Sequence, residues 1–146
     1  MILKLHNIRA VRIFMPKFSN QIFKSSANAE LFLVNEEDRV NLLTATGFVH
    51  DFHTLPQAAQ SEFKRNFERD SIGTLRNGKF IARLRGTKLT NLPGYECLNG
   101  KRKMYLLGAA YRVIFEQSGN TIFALAAGPR HEMAAYKRAR DRITNA

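Results

Sequence analysis

An α+β fold is predicted by three features: an early segment with apolar residues every fourth position, a change after Gly73 to short alternating apolar segments broken by turn residues, and a one-sided stripe near the C-terminus. The expected architecture is N-terminal helices packed on a small antiparallel β-sheet with a C-terminal helix. At 146 residues the chain accommodates one compact domain.

Residues 31–34 form the first strand candidate. Asn35 then suits a helix cap, with Glu36, Glu37 and Asp38 favoured by the positive end of the helix dipole. Val40 and Leu43 would line that helix's buried face, and Gly47 would end it. A second helix is signalled more strongly. Thr54 and Gln57 have capping-box spacing, Pro56 fits a first turn, and Ala59, Phe63 and Phe67 make a stripe with Lys64, Arg65 and Arg69 around it. Gly73 follows as a stop.

Beyond that point residues 80–85 suggest a strand, and residues 86–100, with Pro93-Gly94 inside, read as a loop. Strands are expected over 103–107, 111–117 and 121–127. Gly108-Ala109-Ala110 and Ser118-Gly119-Asn120 separate them, which makes an antiparallel meander. A last helix over 132–143 carries Tyr136, Ala139 and Ile143 on one side.

The formal net charge of +11 and pI near 10.3 point to a polyanionic partner: nucleic acid, an acidic protein or an anionic membrane. Cys97 is alone, so neither an internal disulfide nor a cysteine zinc cage can form, and a reducing cytoplasm is the expected compartment. No segment reaches the ~20 apolar residues of a membrane span. Lys4, Arg9, Arg12, Lys17 and Lys24 all precede the first acid, Glu30. This divides the chain into a basic arm or irregular extension over 1–28 and a domain over 29–146. A transit-peptide-like opening and a true start at Met15 are alternatives. Repeats, heptads and low-complexity tracts are absent.

Strand alternation gathers cations on one side of the sheet. Tyr111, Val113 and Phe115 share a face, so Arg112 and Glu116 point the other way. Lys101, Lys103 and Tyr105 share a face, with Arg102 opposite. Arg130 leaves the last strand, and Tyr136 follows six residues later on the final helix. Cations beside aromatic rings suit a phosphate backbone and a stacked base. Plainer readings exist for each: a solvated basic turn at 101–103, an Arg112–Glu116 pair, a core Tyr136, a surface His131. Lys137, Arg138, Arg140 and Arg142 fit either a phosphate-tracking face or a solvated helix surface. His50, Asp51 and His53 are too sparse a set for a metal site, so no metal is expected.

The run Tyr111-Arg112-Val113-Ile114-Phe115-Glu116, a turn, an apolar strand, Gly128-Pro129-Arg130 and then Tyr136 resembles the end of RelE-type toxins of the RelE/ParE superfamily. Lys103, nine residues before Arg112, falls at a lysine position of that family, and Gly100-Lys101-Arg102-Lys103 is similar to its HigB branch. The likeness covers roughly the last third of the chain. It implies a RelE-like fold and a metal-independent endoribonuclease, a translation-inhibiting mRNA interferase of a toxin–antitoxin system. Such an enzyme cleaves mRNA at the ribosome by 2′-hydroxyl attack on the adjacent phosphate, needs no cofactor, and is silenced by an antitoxin protein.

In that scheme Lys103 is the general base, its pKa lowered by the like charges of Lys101, Arg102 and Arg112. Arg112 balances charge on the phosphorane, Arg130 holds the phosphate or faces the leaving oxygen, and Tyr136 stacks on a base or orients the nucleotide. Lys101, Arg102, Tyr105, Lys137 and Arg138 would bind RNA. His131 is a candidate general acid, because it titrates near neutrality and arginine does not. Tyr105 stands where the family has a second lysine, so either Tyr105 substitutes or Lys101 moves in. A ParE-like gyrase poison and a non-catalytic RNA- or ribosome-binding module are the alternatives.

Overall fold

A computed structural model describes residues 11–15, 31–35, 40–70, 74–76, 79–81, 83–119 and 121–144. The elements run β1 (Val11–Met15), β2 (Leu31–Asn35), β3 (Val40–Thr44), α1 (Phe48–Thr54), α2 (Gln57–Asp70), β4 (Thr74–Arg76), β5 (Lys79–Ile81), β6 (Thr87–Lys88), β7 (Arg102–Leu106), β8 (Tyr111–Ser118), β9 (Thr121–Pro129) and α3 (Ala134–Thr144). The class is α+β, as the change of period predicts. One sheet has the order β1-β2-β3-β9-β8-β7-β6, and β4 and β5 form a separate two-stranded hairpin.

The sheet is mixed, not purely antiparallel. β1 pairs with β2 and β3 pairs with β9 in parallel; the β7–β8–β9 meander is antiparallel as expected. Strands therefore precede the helices. Val11–Met15, assigned above to an irregular arm, is a strand, whereas the rest of 1–28 lies outside the described residues.

The helix expected after Asn35 is also corrected. Its acidic first turn lies outside the described residues, and Val40–Thr44 is extended. Val40 and Leu43 have helical spacing, but the run is short, apolar and ends in β-branched Thr44. Such a run suits an interior strand equally well. Gly47 does not stop a helix either. It caps the start of α1 with φ 98°, and a Cβ there would lie 2.7 Å from Arg142 Nη2.

Pro56 precedes α2, whose Ala59, Phe63 and Phe67 are buried. The Thr54 hydroxyl donates to the Asp51 carbonyl at 2.6 Å, so Thr54 ends α1 where a capping box had been expected. Of the strand expected over 80–85, Phe80 and Ile81 lie in β5, and the described residues 83–85 are in no strand. Inside the expected 86–100 loop, β6 adds a short edge to β7.

Two apolar layers sandwich the sheet. On one face Phe48, Phe52, Phe63 and Phe67 of α1 and α2 meet Met104, Leu106, Val113 and Phe115. The Phe52 and Phe63 rings meet edge to face at 5.5 Å, an attractive arrangement for their quadrupoles. On the other face Ala135, Tyr136 and Ala139 of α3 meet Ile114, Leu125, Ala126 and Tyr95. Register slips between Ile114 and Phe115, so Leu125 and Ala126 of β9 both join the cluster beneath α3. No helix among the described residues is long and apolar enough to cross a membrane.

Candidate functional site

Met104 and Leu106 turn into the helix-packed core, and strand alternation therefore sends Lys103 and Tyr105 to the opposite face. Tyr105 is directly opposite Arg112 in the β7–β8 register. The Arg112 guanidinium carbon lies 5.0 Å from the Tyr105 ring centre and 5.3 Å from that of Tyr136. Its Nη1 donates to the Tyr136 hydroxyl at 3.1 Å. Lys103 Nζ is 4.9 Å from the Tyr105 ring centre on the same patch. Arg130 completes the group: its backbone N–H donates to the Ala110 carbonyl at 2.8 Å, fixing the end of β9 against the β7–β8 turn, and its charge acts on the Tyr105 phenol.

The electrostatics of this patch are one-sided. Among the described residues, Lys103, Arg112 and Arg130 form no ion pair, and the buried Nε of Arg112 has no hydrogen-bond partner. A buried donor left unmatched is uncommon and costly, and the uncompensated charge of the patch favours an arriving anion. Tyr105 registers the excess charge. A hydrogen bond from Lys103 pulls its phenol below the ordinary tyrosine range against the opposing effect of burial, and the charges of Lys103, Arg112 and Arg130 pull it further.

The other residues singled out in the sequence divide differently. Tyr136 is 2% exposed and packs against Tyr95, so its ring cannot stack on a base; its hydroxyl positions Arg112 instead. The apolar stripe it shares with Ala139 accounts for this burial. The exposed ring is Tyr105, at 40%. Lys101 pairs with Glu116 at 3.1 Å, so Glu116 does not neutralise Arg112 and Lys101 is not free for a phosphate. Arg102 points to the opposite face and donates to the Gly86 carbonyl at 2.6 Å; burial and nearby Arg83 lower its pKa. Of the three like charges expected to act on Lys103, Arg112 alone is an unpaired neighbour on its face.

Arg138 donates through Nη1 to the Ala127 carbonyl at 2.6 Å, which ties one end of its guanidinium to β9. Lys137 is exposed. His131 is 82% exposed and lies 3.7 Å from the Glu132 carboxylate. Glu132 and Met133 just beyond it both have positive φ, 52° and 58°. Two such non-glycine residues in sequence store strain at the end of β9, next to Arg130.

Sequence reasoning missed a second ionic cluster. Asp51, 3% exposed, accepts from Arg142 Nη1 at 2.6 Å and Nη2 at 3.0 Å, and from the Ala127 N–H at 3.1 Å. Asp51 is an acid in the middle of a phenylalanine-rich helical turn, which is a usable signal that it needs an internal cation. His50 and His53 are exposed, and no group of three metal-binding side chains occurs among the described residues. Comparison with protein-family models, with curated proteins and with solved structures finds no match to this chain.

Proposed function

We propose that the chain is a RelE-like, metal-independent endoribonuclease that cleaves mRNA at the ribosome in the cytoplasm and is held in check by an antitoxin. One observation supports this reading: Lys103 and Arg112, two cations without ion-pair partners among the described residues, flank an exposed tyrosine, and the charge of Arg130 at the end of β9 acts on the same phenol. Arg112, held by Tyr136 and flanked by two rings, presents a rigid fork to the scissile phosphate and balances the charge that builds on it. Arg130 grips the same phosphate from the end of β9, and Tyr105 offers its exposed ring to a base. Lys103 stands at the lysine position of the family resemblance.

Incubating RNA with the purified chain tests the reading. The expected product ends in a 2′,3′-cyclic phosphate, and Arg112→Ala or Arg130→Ala lowers the cleavage rate by about 10²-fold, the usual loss of one transition-state donor. Wild-type cleavage rates in both variants would refute the assignment. RNA binding that yields no cyclic phosphate would favour a non-catalytic RNA-binding module.

A further inference from the structure

Within the endoribonuclease reading, on which this inference rests, we propose that the Tyr105 hydroxyl oxygen accepts the proton of the attacking 2′-hydroxyl and that Lys103 is its cationic partner, not the base. Lys103 Nζ and the Arg112 guanidinium carbon lie 4.9 and 5.0 Å from the Tyr105 ring centre, so the phenol sits between two cations, and Lys103 is the first of the groups that favour its anion. The second lysine that might have replaced it, Lys101, is bound to Glu116. Tyr105 is the exposed ring of the cluster, opposite Arg112 across the β7–β8 ladder, with Arg130 just past the end of the next strand. Guanidinium groups hold their protons too firmly to serve as acceptors.

Among the described residues, the charged groups that act on this phenol favour its anion. Lys103 comes from β7, Arg112 from β8 and Arg130 from the end of β9. Lys101 and Glu116 on the same face cancel one another, and the Tyr136 hydroxyl of α3 is occupied by Arg112. The phenol is held below its usual range by these same three cations, Lys103 first.

The step balances without a co-reactant. The 2′-hydroxyl proton moves to the Tyr105 phenolate, the 2′-oxygen bonds to phosphorus, and the bond from phosphorus to the 5′-oxygen breaks. The Lys103 ammonium protonates the departing oxygen. Proton transfer from the Tyr105 hydroxyl to the neighbouring Lys103 amine then restores the starting pair.

The test is the pH dependence of single-turnover RNA cleavage by the full chain, read beside ultraviolet titration of the phenol, with Tyr105→Phe and Lys103→Met. The wild-type rate should rise with pH in parallel with phenolate formation. In Lys103→Met, rate limb and phenolate absorbance should move together to higher pH, because the cation is lost. Tyr105→Phe should lose the limb and about 10²-fold in rate, a typical general-base contribution. A limb retained in Tyr105→Phe but abolished in Lys103→Met would overturn the assignment alone. Absence of any cyclic phosphate product from the wild type would instead overturn the endoribonuclease reading, and this inference with it.

Discussion

Arg85 grips Asp70 through both carboxylate oxygens, at 2.8 and 2.9 Å, and adds its own backbone N–H at 2.9 Å. Burial alone would raise this carboxyl's pKa, but the Arg85 hydrogen bonds and charge, with help from Arg69, outweigh burial and hold it below the usual carboxylate range. A carboxyl depressed in the folded state adds stability above its unfolded pKa and loses it as pH falls through the folded one. Asp70→Asn should therefore cost stability near neutrality, by about 0.5–1 kcal/mol for a partly exposed pair. The difference from wild type should vanish on acidification, as read by urea midpoints along a pH series. Such pairings were not legible in the sequence, whereas the faces were. Period-two alternation correctly separated Lys103, Tyr105 and Arg112 from Arg102. It could not show that Glu116 pairs with Lys101, because partner choice depends on which strands become neighbours.

At the scale of elements, β9 outruns its neighbour. Parallel pairing with β3 ends at Thr44 opposite Ala124, and the chain of β3 turns away into α1. The Leu125 and Ala127 carbonyls and the Ala127 N–H beyond that point would lack partners on this side. Arg142, Arg138 and Asp51 supply them, so side chains from two helices complete the ladder. Asp51→Ala should cost about 3 kcal/mol, the usual result of stranding one member of a buried pair. Adding Arg142→Ala should cost less than the sum of the single substitutions, which a double-mutant cycle in denaturant would reveal. The helices α2 and α3 were legible because their stripes are long. The strand β3 was mistaken for a helix because five residues contain too few periods to distinguish 3.6 from 2.

For the molecule as a whole, the net charge of +11 favours a polyanionic partner, and under the proposed function Lys103, Arg112 and Arg130 are where it would bind. If three phosphates of a single strand are neutralised there, log affinity should fall with log salt at a slope of about −2, and Arg112→Ala should flatten that slope by roughly 0.7. Titrating labelled RNA across a salt series measures both. The α+β class was legible at this scale because helical stripes and short alternating segments both occur along the chain. The parallel pairs were not, because the alternation within a strand carries no information about a distant partner's direction.

The parallel pairing of Thr44 with Ala124 also bears on how the chain acquires its structure. It joins residues 80 positions apart (124 − 44), with α1, α2 and the strands β4 to β8 lying between them. The β7–β9 meander needs only short turns and can zip early; closing the far longer loop costs more chain entropy and comes late. Until it does, the apolar edge of β9 is open to other chains. During synthesis β3 leaves the ribosome long before β9 exists, so until then β2 is its one neighbour in the described sheet.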